Sequence, residues 1–190
     1  MPDKYGINSF VGLQSYEVIR WKRYHKRRLE LWLELRGKKY RCGKCRKVFT
    51  PYHDRTWVCL RDLSIAQHQV YLWVYRYRVK CPQCGPQQAE LTLARIYARC
   101  TRRFERWLFR LTKGMTVKEV SELVQVDWRL VKEVEIRYIV GLLRRRDLDG
   151  ITELGIDEVS EKKGHRYLTL VTDLQSKRVI WVGRGRDRAV

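Results

Sequence analysis

The sequence predicts an α+β protein of several domains, on the strength of three observations. Two Cys-x-x-Cys pairs lie in a stretch whose apolar residues alternate with the period of two that is typical of strands. From Thr101 the period changes to 3.6, and from Ile151 short apolar runs separated by turn residues return. We therefore expect five parts: a flexible lead-in at 1–15, a β-rich zinc-binding domain at 16–100, three helices at 101–146, a linker at 147–150 and a β-meander at 151–190.

The composition indicates the class of partner. The 190 residues include 41 lysines and arginines against 21 aspartates and glutamates, which gives a formal net charge of +20. A chain of this charge attracts a polyanion, because each phosphate that it neutralises releases condensed counterions. No apolar run approaches the ~20 residues that span a bilayer, so no membrane partner is expected. Residues 1–12 lack the basic start and apolar core of a signal peptide, and without export the six cysteines favour metal binding over disulfides.

The two cysteine pairs predict a metal centre. Two Cys-x-x-Cys turns complete the four-sulfur shell of structural zinc, with one ion per chain and no open position for catalysis. The predicted ligands are Cys42, Cys45, Cys81 and Cys84. Two alternatives stay open: the four cysteines are unrelated core residues, or His53 replaces one of them at the metal. Cys59 and Cys100 are expected to be buried thiols.

The zinc domain is expected to be built from strands. Residues 16–23 and 28–36 form a predicted hairpin, and the second run alternates strictly with four leucines on one face. Further strands are expected at 56–60 and 69–80. The last of these places Tyr71, Trp73, Tyr75 and Tyr77 on a single face. We favour a role for these rings in covering the core beside the zinc; the alternative is that they stack on bases, as in single-strand binders.

Three helices follow, and together they predict a helix-turn-helix. Lys113-Gly114 ends the first helix, Thr116 and Glu119 form a capping box for the second, and Asp127 is the N-cap of the third. The apolar stripes expected to face inward are Phe104, Trp107, Leu108 and Leu111 in the first helix, Val117, Val120, Leu123 and Val124 in the second, and Trp128, Val131, Val134, Tyr138 and Leu142 in the third. Three short helices also occur in proteins that never bind DNA, but the charge of this segment favours DNA binding.

The candidate DNA contacts are the basic residues that lie off these stripes. Arg129 and Lys132 stand near the start of the predicted recognition helix, where side chains reach base edges. The other candidates are expected to contact phosphates, which position a protein without specifying sequence. They are Arg102, Arg103, Arg106, Arg137, Arg144, Arg145 and Arg146.

The last segment is predicted to be a three-stranded meander. A first strand over 151–156 leads to Asp157 and Glu158, a turn is expected at 162–164, and further strands are expected at 167–173 and 178–182. A lone meander buries little apolar surface and leaves an unpaired edge. The segment is therefore interpreted as the beginning of a larger domain.

The ordered set of motifs resembles the ISL3-type bacterial insertion-sequence transposases over roughly residues 16–188. The resemblance rests on Gly155-Ile156-Asp157-Glu158, the runs at 163–174 and 178–182, the two cysteine pairs, the Ala89-Glu90 exit and the helix-turn-helix at 101–139. It implies an RNase H-like catalytic domain in which an Asp, a second Asp and a Glu hold two Mg²⁺ ions for phosphodiester displacement. Asp157 would be the first acid, whereas its alternative role is to cap a turn. Asp173 is interpreted as a turn residue.

The sequence departs from the family pattern because the second Asp and the Glu would lie beyond Val190. We therefore expect a truncated RNase H-like segment that needs further acids before it can bind Mg²⁺ for catalysis. We also expect that this chain alone does not cleave DNA. We expect the chain to be a fragment of a longer transposase, a natural truncation or a domesticated DNA-binding remnant.

The resemblance implies a cytoplasmic, nucleoid-associated bacterial protein that recognises the terminal inverted repeats of a transposon in double-stranded DNA. A second copy of the chain or the full-length transposase is a further candidate partner. The rival hypotheses are a zinc-stabilised transcription regulator, a repressor of transposition and an RNA-binding protein.

Overall fold

The computed structural model describes residues 11–25, 27–145, 148–162 and 166–185. Contacts divide the chain into two units, Met1–Glu135 and Ile136–Val190. The structure is a mixed α and β protein, consistent with the predicted α+β class, and three helices lie within residues 102–143. Among the helices that it describes, none is both long and apolar enough to cross a membrane.

Seven strands lie in the described residues of the first unit. They are β1 (Tyr16–Tyr24), β2 (Arg28–Leu35), β3 (Tyr40–Arg41), β4 (Val48–Phe49), β5 (Asp54–Ile65), β6 (His68–Cys81) and β7 (Gly85–Gln88). Five of them form one sheet in the order β1-β2-β6-β5, with β7 also paired to β6, while β3 and β4 form a separate ribbon. The predicted β1–β2 hairpin is antiparallel as expected. The parallel pairing of β2 with β6 was not predicted.

The main core lies on one face of this sheet. Leu31 and Leu33 of β2 are fully buried there beside Leu72 of β6, as the strict alternation predicted. Leu91 and Ala94, from the segment after β7, pack on the same core. Val11 also belongs to it, so packing begins before the boundary predicted at residue 16; residues 1–10 of the predicted lead-in lie outside the described part.

Strand β6 contributes to a second core at its C-terminal end. Its buried positions change from the even residues 70, 72 and 74 to the odd residues 77, 79 and 81. Because successive side chains point to opposite faces, the two halves of β6 bury opposite faces of the strand. Tyr77 and Val79 pack with Tyr40, Cys42 and Ala89 in this smaller core. This is the aromatic packing beside the cysteines that we favoured, but it includes only the end of the predicted aromatic face.

The helices are α1 (Arg102–Leu111), α2 (Val117–Val124) and α3 (Trp128–Leu143). Thr101 caps α1, the predicted capping box is present at α2, and the Asp127 side chain accepts from Arg129 N (2.8 Å) at the start of α3. The buried side chains are Phe104, Glu105, Leu108, Val120, Val124, Val131 and Val134.

Three positions predicted to face inward are exposed: Leu123 by 60%, Trp128 by 55% and Leu142 by 58%. Helices of ten, eight and sixteen residues are about 15, 12 and 24 Å long. The two short helices can therefore cover only part of α3 and enclose a small core. Peripheral positions of the apolar stripes remain outside this core.

The second unit contains the predicted meander. Strands β8 (Leu154–Lys162), β9 (Arg166–Asp173) and β10 (Arg178–Arg184) are antiparallel in the order β10-β9-β8. β8 is longer than expected, so Asp157 lies within the strand opposite Leu170 rather than after it. Residues 163 and 164 of the predicted turn lie outside the described part. Ile156 is 73% exposed on this sheet.

Candidate metal centre and nucleic-acid interface

The first cysteine pair lies in the turn that joins β3 to β4. Cys42 N donates to the Lys47 carbonyl (2.8 Å), and Arg46 N donates to the Cys42 carbonyl (3.0 Å). Arg46, which directly follows Cys45, has a positive φ of 64°. These two bonds fold the chain back on itself, so that both thiols of the pair lie on one side of the turn.

The second pair forms a similar turn between β6 and β7. Cys81 ends β6 and pairs with Gly85 at the start of β7. Gly85 has a φ of 72° and follows Cys84 as Arg46 follows Cys45. Each Cys-x-x-Cys turn is therefore closed by a residue in the left-handed region, which glycine adopts at no steric cost.

Backbone contacts hold the two turns together. Gly43 N donates to the Gln88 carbonyl (3.0 Å), and Cys42 forms a bridge with Ala89. A Cβ atom at Gly43 would stand 2.8 Å from the Gln88 oxygen. The close approach of the two turns thus depends on the missing side chain at Gly43.

The four predicted ligands form one cluster. The sulfur atoms of Cys42, Cys45, Cys81 and Cys84 lie within 4.8 Å of one another, and the Cys45 and Cys81 sulfurs are 3.5 Å apart. Four thiolates around one zinc ion at ~2.3 Å are about 3.8 Å apart, so this cluster has the size of a four-sulfur metal site. The donor set fits a metal ion, and the alternative of four unrelated core cysteines is not compatible with this convergence.

Hydrogen bonds favour the thiolate form of two of these cysteines. Burial raises the pKa of the Cys81 thiol, but backbone N–H bonds from Cys84 and Gln83, together with the neighbouring thiol of Cys45, lower it to about 7. The backbone N–H of Cys45 lowers the pKa of Cys42. Because the thiolate is the metal-binding form, these N–H groups favour metal binding by Cys42 and Cys81, whereas burial and the neighbouring thiols raise the pKa of Cys84 to about 12.

The other candidate ligands lie elsewhere. His53 is not a member of the cluster, and its backbone N–H donates to the Arg78 carbonyl (2.7 Å). Cys100 is buried as predicted, while Cys59 is only half-buried in β5 and burial raises the pKa of its thiol. Neither thiol belongs to the metal cluster.

A tight turn joins α2 to α3. Gln125 adopts a left-handed conformation with a φ of 56°. Val126 N donates to the Ser121 carbonyl (3.2 Å), and Ser121 Oγ donates to the Val126 carbonyl (2.7 Å). Three residues therefore separate the helices, which agrees with the short turn that the sequence predicted.

A buried ion pair attaches α1 to the sheet. Asp62 of β5 is fully buried and accepts from Thr101 Oγ1 (2.6 Å) and from Arg103 Nε (2.7 Å). Arg103 Nη1 also donates to the Val11 carbonyl (2.7 Å). These residues are far apart in the sequence, and no local pattern could have indicated this contact.

The predicted DNA contacts differ in their availability. Arg103 is committed to Asp62, and Lys132 pairs with Glu135 at 2.9 Å on the surface of α3. Arg137 is half-buried, and Arg146 lies outside the described residues. Besides Lys132, the candidates that are exposed are Arg102, Arg106, Arg129, Arg144 and Arg145.

The carboxylates of the meander have different environments. Asp157 is exposed, and its Oδ1 accepts from Glu158 N (2.8 Å). Asp173 ends β9 and accepts from Gln175 N (3.1 Å) and Ser176 N (3.3 Å). The side-chain bond from Ser176 lowers the pKa of Asp173, with smaller contributions from these backbone groups. Asp173 is therefore the turn residue that the sequence predicted.

Comparison with known proteins gives two family matches. The helix-turn-helix domain of transposase family ISL3 matches residues 89–139, which include α1, α2 and most of α3. A second model, that of the ISL3 DDE transposase, matches residues 154–190, which include the meander. The order of the two matches is the order expected from the sequence.

The similar proteins are also transposases. The chain is 32% identical over 191 residues to a transposase for insertion sequence element IS1001 from Bordetella parapertussis, covering 99% of this chain and 47% of that protein. It is 33% identical over 154 residues to a transposase for IS1557 from Mycobacterium tuberculosis, covering 78% of this chain and 34% of that protein. The chain thus spans between about a third and a half of the length of these relatives. No solved structure gives a significant match.

Proposed function

We propose that this chain, which is related to the ISL3-family transposases, binds duplex DNA at the terminal inverted repeats of an insertion sequence. The observation that carries the proposal is the agreement between the helix-turn-helix match and a capped α2, a three-residue turn and an α3 that carries Arg129, Lys132 and Arg137. In such units the second helix of the motif enters the major groove, and residues in its first turns reach base edges.

Within α3, Arg129 and Lys132 are the proposed base-reading residues. Arg129 is exposed in the first turn of the helix, where its guanidinium lies 5.7 Å from the Trp128 ring. The pair between Lys132 and Glu135 is on the surface, so it contributes at most about 1 kcal/mol and can open on binding DNA. Arg102, Arg106, Arg137, Arg144, Arg145 and Arg146 are proposed to contact phosphates, whereas Arg103 instead stabilises the attachment of α1.

The ion at the cysteine cluster is proposed to be zinc with a structural role. A shell of four thiolates is typical of closed structural zinc sites and leaves no position for substrate. In the described fold the cluster joins the β3–β4 ribbon to the end of the sheet. Zinc binding would therefore supply folding free energy to this region.

Asp157 is proposed as the first acid of the catalytic domain in an RNase H-like fold. Paired Mg²⁺ ions held by three acids would activate the attacking oxygen and stabilise the leaving oxygen of the phosphodiester. In the described part of the meander Asp157 lies in β8 and is free of any ion pair within 4 Å, so its carboxylate is accessible. DNA cleavage is proposed to require further acids together with Asp157.

The alternative of a regulator without catalytic relatives is not favoured, since the second family match is to a transposase model and covers residues 154–190, after the helices. The distinction can be tested by binding. The purified chain should prefer a duplex that carries the terminal inverted repeats of its insertion sequence, to be identified by sequencing the DNA that flanks the gene, over a scrambled duplex of equal length. Equal affinity for both duplexes would contradict the proposal.

A matched pair of variants tests the recognition helix. Arg129→Ala should weaken binding to the repeat by about 1–3 kcal/mol and relax the preference at one base pair. Arg145→Ala removes the same charge near the end of the basic segment and should weaken repeat and scrambled duplexes alike. Fluorescence anisotropy with both duplexes measures this difference. Identical effects of the two variants on both duplexes would mean that α3 does not read bases through Arg129.

A further inference from the structure

Beside the N-terminal half of β6, one face of the five-stranded sheet belongs to neither of the two cores described above. Cross-strand partners share a face, and the register places Arg20 beside Trp32, Trp32 beside Trp73, and Trp73 beside Cys59. The adjacent row of cross-strand partners, Leu31, Leu72 and Leu60, points to the opposite face and belongs to the main core. We call the face that carries Trp32 and Trp73 the open face. Its aromatic residues are Trp32, Trp57, Tyr71, Trp73 and Tyr75.

Four of the five rings of the open face form two pairs, and all five are half-buried. Trp32 and Trp73 have ring planes only 6° apart, with centroids 6.3 Å from each other. Trp57 and Tyr75 stack at 3.7 Å. Tyr75 packs at the edge of the core beside the cysteines, but Trp32, Tyr71 and Trp73 are members of neither core. Hydrophobic packing therefore does not account for these three rings.

Cations accompany the rings across the sheet. The guanidinium of Arg20 lies 4.8 Å from the Trp32 ring, that of Arg28 lies 4.1 Å from Tyr71, and that of Arg55 lies 4.0 Å from Tyr75. Arg20 and Arg55 are exposed. This alternation of π-faces and positive charge is the pattern by which proteins bind single-stranded nucleic acid: bases stack on rings, and cations track the phosphates.

The buried carboxylate of Glu30 holds two side chains at the centre of the open face. Glu30 is buried and accepts from Trp73 Nε1 (3.0 Å) and from Arg28 Nε (2.7 Å). It therefore holds the indole and the guanidinium in place before any ligand arrives. Pre-organised side chains lose less conformational entropy on binding than free ones.

We propose that the open face binds an unpaired DNA strand, with bases on Trp32 and Trp73 and phosphates beside Arg20 and Arg55. A duplex hides the faces of its bases within the stack, so the rings favour a single strand. The choice of DNA rather than RNA rests on the proposed function. The site itself is separate from the helix-turn-helix, and its chemistry is sequence-tolerant because every base has a π-face.

The test measures the affinity of the purified chain for a fluorescein-labelled oligo-dT of roughly 16 nucleotides, the upper site size of one small binding domain. Trp73→Ala should weaken binding about tenfold or more, since the stacking of one base on an aromatic ring contributes about 1–3 kcal/mol to the binding free energy. Trp21→Ala is the matched control, because Trp21 is 41% exposed on the same sheet but pairs with Leu31 on the opposite face. An equal loss in both variants overturns the proposal.

A second pair of variants avoids any loss of packing. Arg20→Glu reverses a charge on the open face, whereas Arg23→Glu makes the same change in net charge beside Leu29 on the opposite face. Only Arg20→Glu should weaken oligo-dT binding beyond the general effect of charge. Equal weakening by both would show that total charge alone attracts the oligonucleotide, and this would overturn the proposal.

Two further measurements separate this site from others. Arg129→Ala should alter duplex preference without changing oligo-dT affinity, so failure at the open face and failure at the recognition helix are distinguishable. Oligo-U of the same length should bind no more tightly than oligo-dT. Tighter binding of the RNA, lost in Trp73→Ala, would overturn the assignment of DNA as the occupant.

Discussion

At the scale of single residues, the partner rather than the residue type decides what an arginine does. Arg103 and Arg106 are neighbours on the same basic helix, and their sequence context gave them the same predicted role. In the structure Arg103 forms an ion pair with the buried carboxylate of Asp62, whereas Arg106 is exposed. The buried Asp62 carboxylate, on a strand far away in the sequence, is what separates their roles.

Loss of one cluster cysteine should remove the metal. Cys42→Ser or Cys84→Ser should abolish binding of one zinc per chain and unfold the region around the β3–β4 ribbon, since structural zinc supplies folding free energy. Metal content by mass spectrometry and near-ultraviolet circular dichroism would show both effects, and a strong chelator should reproduce them in the unmodified chain. Cys59→Ser is the control, because Cys59 is outside the cluster. One zinc retained in either cluster variant would contradict the four-cysteine site.

Gly43 should be needed for the metal site although it donates no ligand atom. In Gly43→Ala the new Cβ meets the Gln88 oxygen at 2.8 Å, which forces the two cysteine turns apart. We expect zinc affinity to fall by about tenfold or more, as for other residues that orient metal ligands. Competition with a chromophoric chelator measures the affinity. Gly114→Ala is the control, because nothing lies within 4 Å of its added Cβ; an equal fall there would count against this cause.

At the scale of elements, the contact between β5 and α1 is the point where the helices meet the sheet. Arg61 N donates to the Arg99 carbonyl (2.9 Å), and Thr101 N donates to the Arg61 carbonyl (3.0 Å). The segment that leads into α1 therefore runs along β5 and brings Thr101 and Arg103 to Asp62. The boundary predicted between residues 100 and 101 falls within this contact.

Asp62→Ala should destabilise the first unit strongly. It removes the acceptor of both Thr101 and Arg103 and leaves a charged guanidinium without its partner, which costs about 3 kcal/mol when such a pair is buried. Urea unfolding followed by tryptophan fluorescence measures the change. Asp54→Ala is the control, because its pair with Arg78 at 3.2 Å has side chains that are 43% and 48% exposed. That variant should lose at most about 1 kcal/mol, and equal losses would refute the role of Asp62.

The elements also show which features a sequence can predict. The cysteine turns, the capping box and the β1–β2 hairpin depend on residues close in the chain, and each was predicted at its position. The parallel pairing of β2 with β6 and the ion pair of Asp62 depend on contacts between distant segments, which no local period encodes. The inward positions assigned to Leu123, Trp128 and Leu142 were wrong because periodicity defines a stripe but not how much of it neighbouring helices cover.

At the scale of the whole molecule, the net charge of +20 raises the question of whether DNA is bound by specific contacts or by charge alone. Both mechanisms weaken with salt, because both release counterions from the DNA. They differ in the effect of a single substitution. A charge in direct contact with a phosphate contributes about one unit to the slope of log affinity against log salt, while a distant charge contributes little.

Arg145→Ala should therefore flatten the salt slope of duplex binding by about one unit. Arg23→Ala removes the same charge from β1, outside the helix-turn-helix, and should leave the slope nearly unchanged. The measurement is a salt titration of duplex affinity for the unmodified chain and both variants, with one zinc per chain confirmed in each. If the two variants flatten the slope equally, the net charge of the whole chain attracts the DNA and neither arginine makes a specific phosphate contact. The basic segment after α3 would then have no defined phosphate contact, and specificity would have to arise from the first turns of α3 alone.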